Sequence, residues 1–114
     1  MSERKEDVGG RFYDVESSRI YAERPGFRIN EIRMRPEQSI PWHCHTNSSD
    51  TFYLIEGALR LHLRKPDELI PLAPGDSTVV RPGRPHHVTN GGSGPATFLI
   101  LQGIGEFDFL PLDS

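Results

Sequence analysis

Proline and glycine interrupt this chain so often that no long helix has room to form. They fall at Pro25-Gly26, Pro36, Pro41, Gly57, Pro66, Pro74-Gly75, Pro82-Gly83-Arg84-Pro85 and the Gly91-Gly92-Ser93-Gly94-Pro95 run. Proline removes a backbone donor, and glycine adds backbone freedom that must be lost on folding, so both break helices and mark turns. The 11 glycines and 10 prolines make up about a fifth of the 114 residues. What lies between them is a series of short apolar runs, which points to an all-β chain of antiparallel strands in a sandwich or barrel, with few or no helices.

The runs differ in quality. Leu59, Leu61 and Leu63 alternate with Arg60, His62 and Arg64, the pattern of a half-buried strand with His62 facing solvent. Thr51 to Ile55 is aromatic and β-branched, and Leu69–Leu72, Ser77–Val80 and His86–Asn90 are further short strands. Phe27 and Ile29 share one parity while Ile32 and Met34 share the other, so a bulge or burial on both sides is expected there. Phe98 to Gln102 is continuous enough for a strand buried on both faces. One or two strands are expected within Arg11–Ala22, which carries Phe12 and Tyr13, and Phe107 and Phe109 add apolar bulk near the end. Residues 1–10 read as a loose polar tail and 11–114 as one domain, in keeping with the chain length.

Composition excludes several function classes. The net charge is −3 and the arginines are scattered, which gives no electrostatic basis for binding nucleic acid. No run approaches the roughly 20 apolar residues that span a bilayer, and the charged residues 1–7 are not expected to act as a secretory leader. Cys44 is the only cysteine, so no disulfide forms within the chain and a cytoplasmic setting is expected. No serine or cysteine sits in a nucleophile motif.

Chemistry concentrates in Pro41-Trp42-His43-Cys44-His45-Thr46-Asn47-Ser48-Ser49-Asp50. In an extended segment His43 and His45 point to the same side, with Trp42 and Cys44 on the other. Asp50 lies five residues on, an odd spacing that demands a turn, which Thr46-Asn47-Ser48-Ser49 supplies. His86 and His87 are adjacent, so only one can face the same centre, and parity does not say which. Three imidazoles and a carboxylate suit a first-row transition ion. Each piece also has a plainer reading: an incidental His pair, a turn-capping Asp50, surface histidines at 86 and 87.

In combination these residues resemble the two motifs of the cupin family. His43, His45, Asp50 and Gly57 match the first motif in spacing. Gly75, Pro82-Gly83, His86 and Asn90 match the second. The resemblance implies a small jelly-roll barrel, a metal held by His43, His45, His86 and Asp50, and a homodimer. It also selects His86 over His87. Two departures stand out. The acid is usually glutamate, so Asp50 reaches about 1.5 Å less far and could ligate directly, bind through a water, or leave a three-histidine site. Arg81 stands where the second motif has proline.

The resemblance further implies one divalent ion per chain (Fe, Mn, Ni, Cu or Zn) and a small-molecule ligand or substrate in the barrel. The leading expectation is a metal-dependent, oxygenase-like enzyme. Asp50 would ligate or accept a proton, and Phe52 and Leu54, of the same strand parity as Asp50, would line the pocket. The alternative is a non-catalytic ligand-binding cupin. An unexplained carboxylate or a tyrosine in the pocket would shift the expectation toward acid–base chemistry.

Overall fold

The computed structural model describes residues 13–105 and 108–113. The expected tail at 1–10, Arg11, Phe12 and Phe107 lie outside the described residues. Ten strands and no helix are found among those described: β1 (Ser17–Arg24), β2 (Phe27–Met34), β3 (Ser39–Cys44), β4 (Ser49–Glu56), β5 (Leu59–Leu63), β6 (Glu68–Leu72), β7 (Ser77–Val80), β8 (His86–Asn90), β9 (Ala96–Gly103) and β10 (Leu110–Pro111). Among the described residues no helix is long and apolar enough to cross a membrane.

The strands form two five-stranded antiparallel sheets, ordered β1-β2-β9-β4-β7 and β10-β3-β8-β5-β6. From β2 onward the chain repeatedly crosses between them: β3, β5 and β8 belong to one sheet, and β4, β7 and β9 to the other. This is a jelly roll, and it places the Thr46–Ser48 turn where the chain passes from β3 to the facing sheet.

The core fills the space between the sheets. Ile32, Met34, Phe52, Leu54 and Phe98 from one sheet meet Leu59, Leu61 and Val88 from the other, all fully or almost fully buried. The leucines of β5 face inward and Arg60 and His62 outward, as their alternation requires. Leu54 pairs with Phe98 and Phe52 with Ile100 across the β4–β9 ladder. Burying such side chains contributes roughly 1.5–3 kcal/mol apiece before chain entropy is subtracted.

Two strand expectations are corrected. β2 is regular against β9 from Phe27 to Met34, and its inward parity is Asn30, Ile32, Met34, with a polar residue holding an inward position. The irregularity belongs to its other neighbour, β1, where Tyr21 is skipped between Ile20 and Ala22. In β9, Phe98, Ile100 and Gln102 face the core while Leu99 and Leu101 on the outer face are only half-buried. Within the single chain the apolar run therefore marks a central strand with one face packed in the core and the other half-buried.

Candidate metal centre

β3 and β8 pair so that His43 stands directly opposite His86. Ile40 and His43 are three residues apart and both buried, which simple alternation forbids. The β3–β8 register shifts between them, so Pro41 and Trp42 carry an extra residue and return His43 to the inner face. His45 follows just past the end of β3. The chain then turns through Thr46-Asn47-Ser48, and β4 brings Asp50 in from the facing sheet.

The result is a compact buried group. Donor atoms of His43, His45, Asp50 and His86 all lie within 4.8 Å of one another. His45 Nε2 is 2.9 Å and His86 Nε2 is 3.4 Å from Asp50 Oδ2. The missing methylene of Asp50, relative to glutamate, is thus absorbed by where β4 enters. His87 falls on the opposite face of β8, its ring 5.5 Å from that of Trp42 and 5.3 Å from that of His62. His62 is not simply solvent-facing, because its Nε2 meets Thr89 Oγ1 at 3.0 Å. Cys44 lies half-buried outside the group, and burial pushes its thiol pKa up.

The far side of each imidazole is fixed by backbone. His43 Nδ1 is 2.7 Å from the Pro41 carbonyl, His86 Nδ1 2.9 Å from that of Arg84, and His45 Nδ1 2.5 Å from that of Asp108. A carbonyl only accepts, so each Nδ1 carries the hydrogen, and in a neutral ring each Nε2 presents its lone pair to the centre. His45 and His86 then aim lone pairs at a carboxylate oxygen. Only a proton or a cation placed among them relieves that repulsion. His86 Nε2 and Asp50 Oδ1 have no hydrogen-bond partner among the described residues. The donor set therefore fits a divalent ion, with second-shell orientation of the kind metal histidines require.

Electrostatics follow the same geometry. Burial, with the charges of His86 and His45, depresses the His43 pKa to about 3, so His43 is neutral at ordinary pH. Burial disfavours charged His45, but the hydrogen bond and charge of Asp50 outweigh it and its pKa rises. Burial would raise the Asp50 pKa, yet the imidazoles of His45 and His86 beside it bring it below the usual carboxylate range. Asp50 is held as the anion, and its charge favours a proton on His45 in the place an ion would take.

A cavity of about 10 Å³ adjoins the group, lined by Tyr13, Ile40, Phe52, Gln102 and Phe109 as well as by ligand-group residues. That is room for one water or one ion. Phe109 stacks on His43, with ring centroids 4.3 Å apart. Phe52 borders the cavity. Leu54 does not: one inward step further along β4, it is wholly buried against Phe98. Sequence reasoning missed Tyr13, Gln102, Asp108 and Phe109. Gln102 left one trace, a polar residue of inward parity ending an apolar run. Burial and the nearby charge of Asp50 raise the Tyr13 pKa, against a smaller lowering by Arg28, so its phenol keeps its proton.

The Cupin domain family profile matches residues 30–102. No curated protein matches the sequence. Among solved structures, an uncharacterised conserved protein with a double-stranded β-helix domain from Klebsiella pneumoniae is similar at 24% identity and TM-score 0.73, over 83% of this chain and 82% of that one. A conserved protein of unknown function from Streptococcus pyogenes gives 19% identity and TM-score 0.67, over 78% of this chain and 74% of that one. The oxalate decarboxylase of Bacillus subtilis, studied for its Mn(II) centres, gives 21% identity and TM-score 0.70; the match covers 77% of this chain but 24% of the enzyme. At these identities the likeness is one of fold.

Proposed function

The chain belongs to the cupin family, and on that premise we propose that it is a metal-dependent enzyme acting on a small organic molecule, with His43, His45, His86 and Asp50 as the ligands of one divalent ion. The observation that carries this reading is the orientation of the three imidazoles, whose hydrogens are tied to backbone carbonyls and whose Nε2 atoms converge on a buried carboxylate. Fe, Mn, Ni, Cu and Zn all suit three imidazoles and one carboxylate. Mn has a precedent in a protein of this fold, the decarboxylase of Bacillus subtilis. A bound ion would supply Lewis acidity toward a substrate oxygen or, if redox-active, a site for oxygen chemistry.

Tyr13 moves the reading from oxygenation toward proton transfer. Its phenol borders the ligand group and keeps its proton, so it is a hydrogen-bond and proton donor at the cavity wall. Asp50, held as an anion, is committed to the ion and is a poor base, so the carbon-bound proton leaves to solvent while Tyr13 donates to the substrate oxygen. The test combines two readouts. Protein purified without a metal-binding tag is assayed for metal. It is then incubated with small carbonyl compounds in D₂O without oxygen, and carbon-bound deuterium is followed by NMR. Tyr13→Phe is expected to keep its metal and lose exchange by about 10²-fold or more, the usual contribution of a positioned general acid. Exchange unchanged in Tyr13→Phe removes the tyrosine from the reaction. A second reading, oxygenation, is favoured by a four-donor set that leaves coordination positions for substrate and O₂; oxygen consumption by the Fe(II) form would select it. Ligand binding with neither activity would leave a non-catalytic cupin.

The partner we assign is a second copy of the chain. On the outer face of the β1-containing sheet, Ile29 pairs with Leu101 and Leu99 with Tyr53, and Thr51 links Leu101 to Val79. Tyr53 and Val79 are exposed, which makes this face an apolar surface in want of a cover. A Tyr53→Arg, Val79→Arg double variant is expected to run as a monomer in light scattering where the parent runs as a dimer. A monomeric parent would refute the assignment.

A further inference from the structure

The cavity of about 10 Å³ beside the ligand group holds an ion or a water and no organic molecule. A recess of about 380 Å³, the size of a small-molecule site, opens on the other side of Gln102, which lines both. Ser48 lines the recess as well. The β4–β9 ladder explains why the two spaces adjoin. Gln102 stands opposite Asp50, and Ser49 opposite Gly103. Ser48 precedes Asp50 by two residues and is buried like it. Ser48, Gln102 and Asp50 therefore lie together at one end of the sheet, between the recess and the metal centre.

Two hydrogen-bonding groups of this wall are unused. Ser48 is 2% exposed, and its hydroxyl has no hydrogen-bond partner among the described residues. A hydroxyl buried without a partner is destabilising, and a ligand that supplies one recovers the loss. Gln102 is oriented from behind. Arg28 Nε donates to its Oε1 at 3.2 Å, and Asn30 Nδ2 is 3.5 Å from the same oxygen. An arginine Nε–H only donates, so this contact fixes which end of the amide is the oxygen. The Nε2 of Gln102, with its two hydrogens, makes no hydrogen bond among the described residues. The charged groups of the wall are engaged with their neighbours: Arg28 meets Gln102 and the Glu23 carboxylate, and Arg24 donates to the Glu23 carbonyl. What remains for a ligand is an amide donor, which suits a carbonyl oxygen, and a hydroxyl that both donates and accepts, which suits another hydroxyl.

We propose that the recess binds a small uncharged hydroxycarbonyl compound, whose carbonyl oxygen accepts from Gln102 Nε2 and whose hydroxyl pairs with Ser48 Oγ. The substrate class is then a hydroxyketone or hydroxyaldehyde of a few carbons, held with its carbonyl at the residue that also borders the metal cavity. Its passage to the metal rests on the metal-centre reading, whereas binding in the recess does not.

The test uses the full chain, isotope-labelled and metal-free, titrated by two-dimensional NMR with hydroxyacetone, with acetone, which lacks the hydroxyl, and with glycolate, which carries a charge; metal uptake is measured separately. Hydroxyacetone is expected to bind at least about fivefold more tightly than acetone, the net worth of one further hydrogen bond, and more tightly than glycolate. It is expected to move the side-chain NH₂ resonances of Gln102, which are assigned by their loss in Gln102→Met. Ser48→Ala is expected to bring hydroxyacetone down to the level of acetone, with unchanged metal uptake. Gln102 NH₂ resonances that stay in place at saturating hydroxyacetone, equal binding of hydroxyacetone and acetone by the parent, tighter binding of glycolate, or a margin untouched by Ser48→Ala would overturn the proposal. Hydroxyacetone bound in the expected way by a chain that takes up no metal would support the recess while refuting the metal centre. A chain that takes up metal but leaves Gln102 unmoved would overturn the recess alone.

Discussion

His86→Ala is expected to purify with little or no metal where the parent chain carries about one equivalent, with an affinity more than about 100-fold weaker, since removal of a partner that merely orients a ligand already costs 10–100-fold. The direction follows from position. His86 faces His43 across the β3–β8 ladder and contributes one of two Nε2 atoms beside Asp50 Oδ2. Without it, two imidazoles and a carboxylate remain. The variant should still fold, because Asp50 keeps His45 at 2.9 Å and the cavity left by one ring costs on the order of 2 kcal/mol. Metal at 100 times its Kd stabilises a chain by about 2.7 kcal/mol, which for a domain near this size raises Tm by roughly 10 °C. That rise should be present in the parent and absent in His86→Ala. His86→Gln, which fills more of the space without an imidazole, separates ligand loss from cavity formation. Wild-type metal content in both variants would mean that the four-residue group is not the metal site.

The second large effect concerns Gly57 and involves no ligand. Gly57 ends β4 with φ +91°, and a Cβ built on it would lie 2.6 Å from the Pro95 oxygen and 2.8 Å from Ala96 Cα. Those are backbone atoms at the start of β9, the strand that holds the sheet's centre, and they cannot swing aside as a side-chain tip can. Gly57→Ala therefore combines a left-handed conformation, about 1–2 kcal/mol for a residue with a Cβ, with displacement of the β4–β9 entry. A total loss above about 3 kcal/mol is expected, a large share of the 5–15 kcal/mol by which domains are stable. Gly75→Ala is the control, since its φ is +93° with nothing within 4 Å, and only the conformational part should appear. Urea midpoints that coincide for the two variants would show that the close approach at Gly57 has no energetic weight.

These two residues illustrate how much of the molecule was legible beforehand. His43, His45, Asp50, Gly57 and His86 stand at spacings that mark them as a group, and glycine and proline punctuation delimits most strands. Parity was the weaker guide. It assigns a face but not a depth, which is why Phe52 borders the small cavity while Leu54, two residues on, is core. Parity also assumes regular pairing, and the β3–β8 register shift breaks that assumption between Ile40 and His43. Asn30 and Gln102 sit inward in strands that read as apolar, where hydrophobic pattern undervalues a polar position serving a buried network. Tyr13 and Asp108 reach the site from opposite ends of the chain, and no local pattern signals a contact made only by tertiary folding.

The carbonyls of Pro41, Arg84 and Asp108 that hold the three imidazoles belong to the main chain, and every amino acid has one. Aim at the centre therefore depends on the path of the backbone, which the Arg84 and Asp108 side chains help to hold, Arg84 by donating to the carbonyls of Arg64 and Pro66 and Asp108 by accepting from the Thr46 N–H. Asp108 extends that dependence to the segment leading into β10, which pairs with β3 at Cys44 and His43. The segment from Asp108 into β10 thereby acts as a clasp on His43 and His45.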